Sequence, residues 1–106
     1  MIHVIVTATI NPGSLDEYLR LAAELAPQVE AEAGCRRYSY TLDIASPIGI
    51  QDPVDENRVT LIEEWESLAH LEAHLSAPHM SEYGPRMSGL RSSVAARVTT
   101  DLVDDT

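Results

Sequence analysis

The run Val59-Thr60-Leu61-Ile62-Glu63-Glu64-Trp65-Glu66-Ser67-Leu68 decides how this chain is built. Val59, Leu61, Glu63 and Trp65 fall on one side of a period-two pattern and Thr60, Ile62, Glu64 and Glu66 on the other, which predicts a strand over about 58–66. Ser67 then supplies a helix N-cap, and Leu68, Leu71, His74 and Leu75 share a helical face. A carboxylate, the only tryptophan and a histidine thus meet at one strand-to-helix junction, in a chain with no phenylalanine and four tyrosines. With so few aromatic groups available, that junction is the best candidate for a ligand pocket.

Upstream, Ile2, Val4, Val6, Ala8 and Ile10 alternate with His3, Ile5, Thr7 and Thr9 as a strand over 2–10. Ser14 and Glu17 have the spacing of a capping box. Leu15, Tyr18, Leu19, Ala22, Leu25, Ala26, Val29 and Ala33 then keep one apolar helical face down to Gly34, with Pro27 expected to kink or divide the helix. A second strand is expected over 35–45, with Tyr38, Tyr40, Leu42 and Ile44 on one side, and a loop over 46–57. Downstream, Pro78 permits a new helical turn through Tyr83, Gly84-Pro85 should break it, and a last strand should span about 92–103. The order is β-α-β-β-α-β, an α+β chain of ferredoxin-like type with an antiparallel sheet and both helices on one face. The opposite face carries Ile5 and Ile62 among polar residues, which predicts that a second copy covers it in a homodimer.

A chain of 106 residues is expected to make a single domain over 1–106, with the acidic tail 101–106 loosely ordered. Seven arginines, no lysine and seventeen acids give a formal charge of −10, which disfavours nucleic acid and anionic membrane surfaces as partners. The apolar stretch Ile2–Ile10 is too short for a membrane span and lacks a cationic flank, so neither span nor signal peptide is expected and a cytoplasmic protein is the default. Cys35 stands alone, which excludes an internal disulfide and reads as a packed free thiol.

The capped first helix ending in Gly34-Cys35-x-x-Tyr38, then Glu63-x-Trp65-x-Ser67, His74 and Pro78-His79, resembles the antibiotic biosynthesis monooxygenase family, with its small quinol-monooxygenase-like members nearest. The likeness spans about residues 1–100. It implies a dimeric α+β barrel with a pocket in each subunit between sheet and helices. It also implies oxidation of a small aromatic or polycyclic substrate by dioxygen without flavin, haem or metal. By position Trp65 and His74 match the family's strand-end indole and helix histidine, Glu63 its strand carboxylate, and His79 the start of the following helical turn. Haem-degrading relatives carry an asparagine in the first strand; none lies between Ile2 and Ile10 here, which counts against haem oxygenation.

Oxygenation without a cofactor requires a base, a dry cavity and donors that stabilise the substrate anion. His74 is the candidate base, Trp65 a candidate aromatic wall, and Tyr38, Tyr83 and His79 candidate hydrogen-bond partners for substrate oxygens. Each has a plainer alternative. His74 and Trp65 can be satisfied core, Tyr38 and Tyr40 alternate correctly for core, and Glu63 can be one half of an ion pair with Arg97, Arg36 or a helix N-terminus. His3 reads as an interface residue and His70 as a solvent-facing one. His70 and His74 are spaced i, i+4 but lack a third ligand, so no metal site is expected. The same pocket could also serve a non-oxidative isomerase, tautomerase or cyclase, or a dimer that only binds a small molecule.

Overall fold

The computed structural model describes residues 1–103 and contains β1 (Ile2–Ile10), α1 (Leu15–Glu30), β2 (Cys35–Leu42), β3 (Arg58–Trp65), α2 (Leu68–Leu75), α3 (Pro78–Ser88) and β4 (Arg91–Thr100). The four strands form one sheet in the order β2-β3-β1-β4, with every neighbouring pair antiparallel. This is the ferredoxin-like α+β arrangement expected from the element order, with one extra helix because residues 78–88 form a full helix rather than one turn. The expected tail 101–106 falls partly outside the described residues.

Register places the site. Val4 pairs with Glu63 and Glu63 with Tyr38, so these three form one row across the sheet. The next rows, Val6–Leu61–Tyr40 and Ile2–Trp65, point the same way because strand side chains repeat every two residues. This face meets Tyr18, Leu21, Ala22, Leu25 and Val29 of α1, which are all buried. Leu21 was not on the expected apolar face; it extends that face by one position. On the opposite face the rows are His3–Glu64–Arg37, Ile5–Ile62–Ser39 and Thr7–Thr60–Thr41. Ile5 is 40% exposed there.

Several local expectations fail for identifiable reasons. The capping box does not form: Ser14 makes no side-chain cap bond and Glu17 pairs instead with Arg20. α1 runs unbroken through Pro27, which lies in its last turn beside an exposed Ala23, whose freed carbonyl faces water. Gly84-Pro85 likewise sits inside α3: Gly84 has no Cβ to meet the proline ring, and Ser81, whose carbonyl loses its donor, is exposed. β2 ends at Leu42, leaving Leu42 and Ile44 open to solvent. Leu68 and Leu75 are also exposed, so only Leu71 and His74 carry the inward face of α2. The Ser67 cap does form, its hydroxyl accepting from the His70 amide at 3.2 Å. The loop after β2 is held where Arg58 Nε donates to Asp43 Oδ2 at 3.0 Å.

Gly34 links the fold to the site. Its φ of +80° is a left-handed conformation, and a Cβ added there would lie 2.3 Å from Cγ of His70. Only glycine lets the α1–β2 turn close onto the start of α2, where the Glu66 amide donates to the Gly34 carbonyl at 2.9 Å. His70 therefore covers this turn and bonds Ser67 through Nδ1 at 2.7 Å, rather than facing solvent. The close approach also sets Glu32, two residues before Gly34, beside α2.

Candidate active site

His74 is 2% exposed and is held on three sides. Its Nδ1 lies 2.8 Å from Glu32 Oε2. The Trp65 ring packs against it with centroids 4.8 Å apart and planes inclined by 34°. Tyr38 meets it edge-on at 5.7 Å. A ring nitrogen facing a carboxylate donates to it, so Nδ1 carries a hydrogen toward Glu32, and Nε2 is the ring nitrogen that Glu32 does not engage.

Trp65 is fully buried, and its indole N–H donates to Glu63 Oε1 at 2.9 Å. This bond, not an ion pair, satisfies the strand carboxylate: Arg36 pairs with Glu66, and Arg97 lies on β4 opposite Ile5 on the other face. Burial pushes the Glu63 carboxyl above the usual range, partly offset by the indole donor and the nearby His74, while the negative Glu32 pushes it further up.

A hollow of about 270 Å³ lies against this cluster. Tyr38, Glu63 and His74 line it, together with Tyr40, Met80, Met87 and Arg91. Its most open lining residues are Leu75 at 65% and Val94 at 47%, so it opens between the end of α2 and β4. The Tyr38 and Tyr40 hydroxyls are 3.0 Å apart. Burial pushes the Tyr38 hydroxyl far above its ordinary range and that of Tyr40 up to about 12, so both keep their protons. One hydroxyl hydrogen is used between them and the other can be donated to a ligand.

Among the sequence candidates, then, His74, Glu63 and Tyr38 share the hollow. Trp65 does not line it: the indole backs His74 from behind, and no space separates the two rings. His79 and Tyr83 also lie off the hollow, with His79 Nε2 2.7 Å from Glu32 Oε2 and the Tyr83 hydroxyl donating to Glu24 Oε1 at 3.0 Å. Glu32 is the main residue that sequence reasoning missed. It is 42 and 47 positions from the histidines it joins and carries no local signature, one acid among seventeen. It joins His74 to His79 rather than to His70, the partner considered for His74 from the i, i+4 spacing. The atoms that Glu32, His74 and His79 could offer lie within 4.8 Å of one another. Tyr40 and Arg91 were likewise not counted as site residues. Cys35 is half-buried and its thiol is pushed up, first by burial, which suits packing rather than nucleophilic work.

The sequence profile of the family described as antibiotic biosynthesis monooxygenase matches residues 1–86. The chain belongs to this family. It is also 36% identical over 95 residues to YgiN of Escherichia coli K12, named a probable quinol monooxygenase, covering 84% of this chain and 86% of that protein. Among solved structures, PA3566 of Pseudomonas aeruginosa superposes with a TM-score of 0.80 at 25% identity, covering 96% of this chain and 94% of that one. Rv0793 of Mycobacterium tuberculosis gives 0.81 at 23% identity, covering 99% and 98%. Membership of this monooxygenase family agrees with a pocket between sheet and helices. No helix among the described residues is long and apolar enough to cross a membrane.

Proposed function

We propose that the protein is a cofactor-independent monooxygenase that oxidises a quinol, an anthrone or a related polycyclic phenol with dioxygen. The observation that carries this reading is an apolar hollow lined by one buried imidazole, whose Nδ1 is fixed by Glu32. The volume, about 270 Å³, falls just below the usual span of ligand sites, which restricts the substrate to a compact ring system.

In this reading the substrate hydroxyl, or the acidic C–H of an anthrone, gives its proton to His74 Nε2. Glu32 stabilises the imidazolium through Nδ1–H. The Tyr38–Tyr40 pair donates its free hydrogen to the substrate oxyanion. The electron-rich anion passes one electron to dioxygen; substrate radical and superoxide combine at carbon, and the hydroperoxide loses water to leave a new carbonyl. For an anthrone the sum is substrate plus O2 giving quinone plus H2O, with no outside electron donor. Trp65 acts through His74 by packing behind it. Glu63, already bonded to the indole, shapes the floor of the pocket. Arg91 gives the mouth a positive charge.

The working unit in this reading is a homodimer. Ile5, on the open sheet face, is 40% exposed in one chain, and a second copy on that face would remove it and its neighbour Ile62 from water. The test is oxygen uptake with hydroquinone, naphthohydroquinone and anthrone substrates in chelated buffer without flavin or haem. The expected result is saturable uptake, one O2 per product formed. Turnover under strict anaerobiosis would instead establish a non-oxidative isomerase, and saturable binding without turnover a binding protein.

A further inference from the structure

The triad Glu32, His74 and His79 supports more than the orientation of one ring. Glu32 leaves the turn after α1, His74 sits in the last turn of α2 and His79 in the first turn of α3, so three separate segments converge on it. A single oxygen, Glu32 Oε2, lies 2.8 Å from His74 Nδ1 and 2.7 Å from His79 Nε2. The His79 and Glu32 side chains keep 16% and 15% of their surface exposed, so an ion can reach them from solvent, while His74 closes the inner side. Two imidazoles and one carboxylate are the donor set of a three-ligand zinc site with an open fourth position. Tetrahedral zinc at about 2.1 Å from each ligand needs ligand atoms about 3.4 Å apart. To reach it the two short O···N separations widen, with the more exposed Glu32 and His79 side chains moving against a clamped His74. The chain's charge of −10 favours a cation here.

We propose that Glu32, His74 and His79 form a binding site for a divalent transition-metal ion, zinc by its donor set, and that its occupancy switches off the cavity imidazole. The second half rests on the function proposed above. With Glu32 as partner, Nδ1 of His74 carries the proton and Nε2 accepts. A metal on Nδ1 takes that lone pair, so the ring proton moves to Nε2 and the nitrogen facing the substrate changes from acceptor to donor. In the same way the His79 proton moves to its Nδ1. No proton is lost from either neutral ring; the site changes tautomer, and the base disappears.

The test is zinc titration of metal-stripped protein against a chromophoric chelator, with cobalt absorption as a second readout of nitrogen-and-oxygen coordination. The expected result is one ion per chain with micromolar or tighter affinity. His79→Ala and Glu32→Gln should each weaken it by about tenfold or more, with circular dichroism and melting confirming that both variants fold. Absence of binding, or binding unchanged in both folded variants, overturns the site. With a turned-over substrate, stoichiometric zinc should inhibit the wild type, a chelator should restore the rate, and His79→Ala should need more zinc for the same fractional loss. Zinc binding without inhibition of that turnover overturns the switch. Zinc binding in a protein that oxidises no quinol leaves the metal site standing and removes the oxygenase reading instead.

Discussion

His74→Ala and His74→Asn will both lower turnover of a verified quinol or anthrone by about a hundredfold or more, the usual span for losing a positioned general base. The pair separates chemistry from packing. Asparagine keeps an N–H that can donate to Glu32 and preserves much of the ring's volume, but it has no basic nitrogen to offer the cavity. Alanine leaves a hole between Trp65 and Tyr38 and strips the Glu32 carboxylate of its inner partner. Melting temperature should therefore fall further in alanine than in asparagine, while the two rates fall alike. Unchanged turnover in His74→Asn, measured by initial rate at saturating substrate, would remove the imidazole from the mechanism.

Trp65→Ala should be the most destabilising single substitution in the chain. The indole is fully buried at the sheet-to-helix junction, and its removal opens a cavity costing about 3–5 kcal/mol. In a domain of this size that corresponds to a drop in Tm of roughly 15 °C or more. Trp65→Phe isolates a second effect: it keeps most of the packing but leaves the Glu63 carboxylate without its donor, costing about 1–3 kcal/mol. The folded-state pKa of Glu63 is already raised by burial, so its carboxyl favours folding when protonated, and that contribution is lost as pH rises through the folded value. Removing the indole donor raises that value further. The Trp65→Phe defect, read as the Tm difference from wild type, should therefore be larger at pH 8 than at pH 5. A defect that is the same at both values would show that the carboxylate is not the group left unpaired.

The fold was readable because its strands alternate with a period of two, while Ser67 and the inward Leu71 and His74 mark the second helix. The errors came where a local rule met a tertiary environment. Pro27 and Gly84-Pro85 have the pattern of breaks, yet each falls where the residue four positions back, Ala23 or Ser81, is exposed and its freed carbonyl can meet water. Ser14 and Glu17 have capping-box spacing, but Arg20 offers Glu17 a charged partner one turn away and the box does not close. The site was readable in part. His74, Glu63 and Tyr38 lie on faces that periodicity assigns, and sheet register brings them together. The indole was expected to front the pocket and instead backs the imidazole, because strand alternation fixes which face a side chain joins but not its depth. Glu32 could not be read at all. Its contact with His74 and His79 depends on how closely the Gly34 turn approaches α2, a distance that no local pattern encodes.

In the proposed mechanism Glu32 fixes His74 with its proton on Nδ1 and leaves Nε2 bare for the substrate. Long-range 15N–1H correlation spectra of the histidine rings, recorded on metal-free protein with and without a saturating quinol, test this directly. The expected spectrum shows a protonated Nδ1 and an unprotonated Nε2 in the free protein, with the quinol shifting the Nε2 resonance most. A His74 ring bearing its proton on Nε2 or on both nitrogens in the free protein, or one that does not respond to bound quinol, would contradict it.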